Sequence, residues 1–336
     1  MNIEHRWPLL IYLDQKGWID LAKKEYRSDK TDEDTRFLRT LYNAVDESKA
    51  LFPLSIVHLD EIKKISSEAK RQQLAILMTK LSRGYSFSPY VDHLIAVEID
   101  QIIAEKLGYP HIDLRRVFLK QGFHHLIGSN LPTIVSRDGD KNQKPPKEIE
   151  EKMLATLYDP RTFEILLTKA RPSQLLRQKQ KEEAMQMNES RKQLLQVKDR
   201  DLRRRTYLAQ IVLAIEVPHI IERLIDRGLP KDFFKIEEWK RKDIDEFLTH
   251  IPTGLTFNTL MMYSDLQFQR EINVNDIADV WGLTLGIPYS DVVVTERHWV
   301  SITKQSKLDK ICNTIMLSSI SDLAGILSKN KSSKTT

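Results

Sequence analysis

The chain has 336 residues, 41% of them hydrophobic and 29% charged, which excludes a disordered or collagen-like polymer and allows one large domain or two ordinary ones. No run approaches the roughly 20 apolar residues of a membrane helix. The single cysteine, Cys312, excludes an intrachain disulfide framework and a cysteine-based zinc site and fits a reducing cytoplasm, while ten basic residues against five acidic ones between Arg177 and Arg205 carry a surplus equal to the whole net charge of +5.

The first predicted element is a strand, the apolar run Pro8 to Leu13, closed by Asp14. Because Asp14 interrupts the run and no small-residue cleavage site follows, it reads as a strand and not a signal peptide. Trp18, Leu21, Ala22 and Tyr26 then recur at helical spacing, and Phe37, Leu38, Leu41, Tyr42 and Val45 form the stripe of a second helix opened by the acidic TDEDT. LFPLSIVHLDE predicts a second strand, Phe52 to Val57, ending near Glu61. A long helix, EIKKISSEAKRQQLAILMTKLSRG, follows with Gly84 at its stop. A short extended piece, Tyr85 to Pro89, leads into a helix from Val91 to Leu107.

Residues 108–254 read as mostly helix, with one candidate strand at Pro132 to Val135 and a polar loop from Gly139 to Glu148. One or two long helices occupy Ser173 to Ile225, and Pro218 bends or ends a helix there. The α/β rhythm resumes near Leu255 with the helix NDIADVWGLTL, the strand Val292 to Thr295 and a final helix, Ser318 to Leu327. Residues 331–336 read as a disordered tail. The expected architecture is a discontinuous α/β core, residues 1–107 and 255–330, holding a parallel sheet, with residues 108–254 as a helical insertion.

Three strand-like runs carry acids at or near their C-terminal ends, the rim where open α/β sheets bind ligands. Crowded carboxylates repel one another, and hard oxygen donors suit Mg²⁺ or Mn²⁺. Asp14 is the leading metal ligand, against a role as helix N-cap. Glu61 is a ligand or an acid favoured by a helix start, with Asp60 as the competing choice. Asp276 and Asp279 lie one helical turn apart; Asp279 is the favoured ligand, Asp276 a cap or a second ligand. Asp291 is a ligand or the turn residue of PYSD, and Glu296 a ligand or a group that orients one. Gln15 and Trp18 line the site or belong to the core. His58 on the second strand reads as a satisfied core histidine, His124 and His125 receive no role, and His298 is a candidate phosphate contact. The basic run Lys198, Arg200, Arg203, Arg204 and Arg205 is a nucleic-acid contact or a solvated face.

The order LIYLDQ, SIVHLDEI, DIADVWGLTL, VVVTE resembles PIN-domain nucleases, and LDQKGWIDLA with NDIADVWGLTLGIPYSDVVVTE is similar to a bacterial PIN-like group. The resemblance implies a three-layer α/β fold, divalent metal, and hydrolysis of single-stranded or structured RNA, with Asp14, Glu61, Asp279 and Glu296 as the catalytic carboxylates. Glu296 departs from the usual Asp at its position. Relatives include toxins and defence effectors, which implies a regulatory or antitoxin partner. Two other readings stay open: a structure-specific DNA nuclease, and a catalytically silent scaffold that binds protein or nucleic acid through the helical segment.

Overall fold

The computed structural model describes residues 8–89, 91–128, 146–169, 174–196, 198–199, 202, 217–266 and 271–329. In chain order the first half contains β1 (Leu9–Leu13), α1 (Gln15–Tyr26), α2 (Asp32–Asp46), β2 (Ala50–Leu51), α3 (Ile56–Ile62), α4 (Glu68–Ser82), β3 (Tyr85–Phe87) and α5 (Val91–Lys106). Then follow α6 (Arg115–Phe118), β4 (Leu119–Gln121), α7 (Phe123–Leu126), α8 (Lys147–Tyr158), α9 (Pro160–Lys169), α10 (Gln174–Leu195), α11 (Val217–Asp226) and α12 (Arg241–Thr249). The last part contains α13 (Pro252–Leu266), α14 (Val274–Tyr289), β5 (Val292–Val294), α15 (Arg297–Ser306), α16 (Leu308–Ile311), β6 (Ile315–Leu317) and α17 (Leu323–Lys329). Among the described residues no helix is long and apolar enough to cross a membrane.

Five consecutive apolar residues suit a strand buried on both faces, and β1 is one. It lies inside a parallel four-stranded sheet of order β2-β1-β5-β6, with Leu9 opposite Ala50, Leu13 opposite Val294, and Val294 opposite Leu317. Side chains alternate across it. Ile11, Leu13, Val292 and Val294 face one apolar core with Trp18, Leu41, Leu77 and Leu323. Leu10, Tyr12, Val293 and Met316 face the other with Leu260, Leu283, Ile287 and Trp299.

The predicted second strand differs most. Pro53 has no amide hydrogen for a ladder, so β2 ends at Leu51, and residues 52–54 turn toward β3 through a bridge from Leu54 to Ser86. Ser55 is the N-cap of a helix, so His58 is helical instead of on a strand, and Glu61 lies near the end of that helix instead of opening one. The predicted long helix is two, because the Ser67 hydroxyl accepts from the Lys70 amide and starts α4 afresh. Arg83 and Gly84, both at positive φ, end it. The end of the chain also differs: the strand Ile315–Leu317 was not predicted, and a 3₁₀ turn, Ile320–Asp322, precedes α17.

Residues 108–254 hold a short strand, β4, antiparallel to β3, where sequence reading placed none. Phe118 and Leu119 enter one core, and Phe123, Leu126, Phe163 and Leu167 enter the other. Ile220, Leu224 and Phe234 form a further cluster with Ile95, Ile99 and Ile103 of α5. Pro218 sits in the first turn of α11, where a missing amide hydrogen costs nothing. The candidate strand Pro132 to Val135, most of the loop that follows it, and the tail 331–336 lie outside the described residues.

Helix α14 lies unusually close to β1. A Cβ on Gly282 would stand 2.5 Å from the Tyr12 hydroxyl, and one on Gly286 would stand 2.5 Å from Tyr12 Cδ1. In a free helix Gly→Ala gains about 1 kcal/mol, but overpacking a tight contact costs about 1–3 kcal/mol. Gly286→Ala, whose new methyl meets the ring itself, is therefore expected to lower the midpoint of urea unfolding despite its better helix propensity. A raised midpoint would refute the close approach.

Candidate functional site

The C-terminal rim of the sheet is built from the ends of β1 and β5 and from two helices beside them. Asp14 follows β1 directly. Its amide continues the ladder to the Val294 carbonyl at 3.0 Å, and its Oδ1 accepts from the Gly17 amide at 2.7 Å as the N-cap of α1. The cap and the rim position are thus one arrangement. A Cβ at Gly17 would stand 3.2 Å from Leu13 Cβ and 3.4 Å from that Oδ1, so the helix start packs closely on the end of β1. Glu296 lies two residues beyond β5, exposed, at the N-cap of α15. Asp279 projects from the second turn of α14 and accepts from the indole Nε1 of buried Trp299 at 3.2 Å.

The charges on this rim sense one another. Burial first, then Asp14, Glu296 and Glu61, push the Asp279 carboxyl up to about 7, against the hydrogen bond from Trp299. Burial also pushes Asp14 up to about 6, with Glu296 adding to it and the Gly17 amide and Thr295 hydroxyl opposing. Four acids from four separate elements therefore share one field. Asp60 is 1% exposed and its carboxylate has no hydrogen-bond partner among the described residues. Two lysines stand beside the set. Lys16, paired with Asp20 at 2.9 Å, has its pKa raised chiefly by that partner and also by Asp14 and Glu296. Lys64 pairs with Glu61 and donates to Asn275 Oδ1 at 3.2 Å.

Asp276 and Asp291, each left open by the sequence between metal ligand and a cap or turn residue, have other partners here. Asp276 is the N3 residue of a capping box, its Oδ2 accepting from the Asn273 amide at 2.9 Å. Asp291 precedes β5 and lies at the opposite, N-terminal rim, about 13 Å of strand away from Thr295. There its carboxylate accepts from the Leu10 amide at 2.8 Å and from Arg115 at 3.1 Å, so it locks β1 to β5 instead of joining the carboxylate set. Gln15 lies beside the rim, whereas Trp18 is core, packed edge-on against Phe52 and His58. His298 stacks beside Trp299. Of the basic run, Lys198 is exposed, and Arg200, Arg203, Arg204 and Arg205 lie outside the described residues.

Chemically, a carboxylate set with raised proton affinity favours whatever supplies positive charge, a proton or a hard cation. Among the described residues no three His, Cys, Asp or Glu side chains are already set around one ion position; Glu61 is turned to Lys64, and Glu296 is exposed. No family model, no curated protein and no solved structure matches this chain.

Raised carboxyl groups bind protons more tightly in the folded chain than in the unfolded one, so without metal their contribution to stability falls as pH rises from about 4 to about 7. His58, held down to about 4 by burial, acts with the opposite sign over part of this range. Comparison with Asp279→Asn cancels it. The variant is expected to unfold at a higher temperature than wild type at pH 8 in EDTA, with the gap closing toward pH 4. A gap that does not change with pH would show that Asp279 titrates normally.

Proposed function

We propose that the chain is a metal-dependent phosphodiester hydrolase, most simply an endoribonuclease, whose rim carboxylates hold Mg²⁺ or Mn²⁺. The observation carrying this reading is that Asp14, at the end of β1, and Asp279, on the adjacent helix, are brought to one rim where burial raises both carboxyls, Asp14 raises Asp279, and Glu296 raises each. Among the described residues no buried base pairs with Asp14 or Asp279; the nearest cations, Lys16 and Lys64, pair with Asp20 and Glu61. What supports it is the position of the acids at the C-terminal rim of a parallel sheet; in the PIN-like pattern that the sequence resembles, residues 108–254 would be an elaboration of the core.

In this reading Asp14 and Asp279 are the fixed donors, one tied by the Gly17 amide and the other by the Trp299 indole. Glu61 and Glu296 complete the set by rotation of longer, partly or fully exposed side chains, Glu61 leaving Lys64 as it turns. The chemistry a divalent ion supplies when bound is activation of water near neutral pH and neutralisation of phosphate charge. Lys16 and Lys64 place positive charge beside carboxylates that would otherwise repel the substrate backbone. The run Lys198 to Arg205 supplies further phosphate contacts. Toxin or anti-phage activity, with a protein that restrains it, is the biological setting the resemblance suggests.

Asp14→Asn preserves the cap, since Asn caps helices as well as Asp, and removes the charge. It is expected to keep the fold, abolish cleavage of RNA in Mn²⁺, and lose the rise in melting temperature that Mn²⁺ gives the wild type. Full cleavage by this variant would overturn the assignment. Incubating wild type with mixed RNA and single-stranded or flap DNA, with Mn²⁺ or EDTA, separates the ribonuclease from the DNA nuclease and from a silent scaffold.

Replacing Arg203, Arg204 and Arg205 with Ala is expected to weaken RNA binding and flatten its salt dependence by up to about three units of slope, leaving metal binding unchanged. Unaltered RNA affinity would reduce the run to a solvated face.

A further inference from the structure

We infer that His58 is a spacer in the sheet that sets the opening between Asp14 and the helix bearing Glu61; this rests on the metal-site reading above. The β1–β2 register places Leu9 opposite Ala50 and Leu10 opposite Leu51, and the Leu9 amide donates to the Lys49 carbonyl at 2.8 Å. Continued without change, that parallel ladder would set Leu13 opposite Leu54 and join the Leu13 carbonyl to the Ser55 amide. In this chain those two groups are not joined to each other. The Ser55 amide donates to His58 Nδ1 at 2.9 Å, and His58 Nε2 lies 2.7 Å from the Leu13 carbonyl. The imidazole fills the missing rung.

The tautomer follows from the partners. Nδ1 accepts from an amide and carries no proton, so Nε2 carries it and donates to Leu13. Both nitrogens are used, the ring is 1% exposed, and it lies between Tyr12 and Trp18 with centroids 5.1 and 6.2 Å away. A free swing toward substrate or metal is therefore denied to it. An imidazole is wider than a direct hydrogen bond, so the two backbones part at the C-terminal rim, where a cleft is needed. The carbonyl it holds belongs to the residue before Asp14, and the ring stands three residues, one helical turn, before Glu61 on α3. The Tyr12 hydroxyl, 3.1 Å from the Ser55 hydroxyl, ties the same two segments a second time. His58 is thus a positioning residue that fixes the spacing of two carboxylates without touching the reacting atoms.

Two substitutions divide its bonds. In His58→Asn the side-chain oxygen replaces Nδ1 and keeps the helix start, but nothing reaches Leu13. In His58→Gln the amide nitrogen replaces Nε2 and restores the tie to Leu13 at the expense of the cap. The Asn variant is expected to lose about 10–100-fold in Mn²⁺ affinity by calorimetry and in kcat, with KM for RNA little changed. The Gln variant is expected to recover both to within a few-fold, whatever its melting temperature. Affinities that follow melting temperature alone in the two variants would overturn the inference. A crystal structure of the Asn variant adds a readout independent of activity: the Leu13 carbonyl and Ser55 amide should move together, and an unchanged separation would also overturn it. Absence of Mn²⁺ binding in the wild type would instead overturn the metal reading, leaving the spacing measurement to decide the role of His58.

Discussion

The seat of Tyr12 against α14 is the contact on which the rest of the structure depends. Gly282 and Gly286 clear one face of that helix, and the aromatic ring of the central strand lies directly on it. Asp279 lies three residues before Gly282, so the face that approaches β1 also carries the carboxylate toward Asp14. The Tyr12 hydroxyl continues to Ser55 at 3.1 Å, where α3 begins. One side chain therefore joins the strand bearing Asp14 to the helices bearing Asp279 and Glu61, at the protein-like packing density that transmits small displacements.

Glu98 and the rim acids are handled differently. Glu98 is fully buried and saturated: it accepts from the Thr253 amide at 3.0 Å, from the Thr253 hydroxyl at 2.5 Å and from the Tyr289 hydroxyl. It holds α5, α13 and the end of α14 together, as a structural carboxylate should. Asp14 and Asp279 also receive hydrogen bonds, yet burial and like charge still raise their proton affinity. Raised proton affinity at a sheet rim is consistent with the binding role proposed for it.

Individual residues show where reading by pattern succeeded. The rim positions of Asp14 and Glu296 were legible because each comes just after a strongly apolar strand, and strands of one parallel sheet end on one side; Asp279 was legible as an acid within the first turns of an otherwise apolar helix. Glu61 was singled out for the right rim through the wrong local structure. The apolar stretch around Ile56 and Val57 suits strand and helix alike, and the cap formed by Ser55 and His58 decided for helix. Asp291 failed for a different reason. An acid next to a strand is equally visible in sequence at either end, but only the end that leads out of β5 meets Asp14.

The sequence by itself determined the α/β class and a parallel sheet whose first strand is closed by Asp14, because apolar runs and helical periodicity are local properties of composition. Tertiary structure alone decided the sheet order β2-β1-β5-β6, the antiparallel pair β3-β4, the entry of Phe118 and Leu119 into one core and of Phe123 and Phe163 into the other, and the imidazole rung between Leu13 and Ser55. Each of these depends on which distant backbone group stands opposite which, and Leu13 and His58 are 45 positions apart in the chain. No periodicity within either segment encodes a hydrogen bond that exists only once the other segment has arrived.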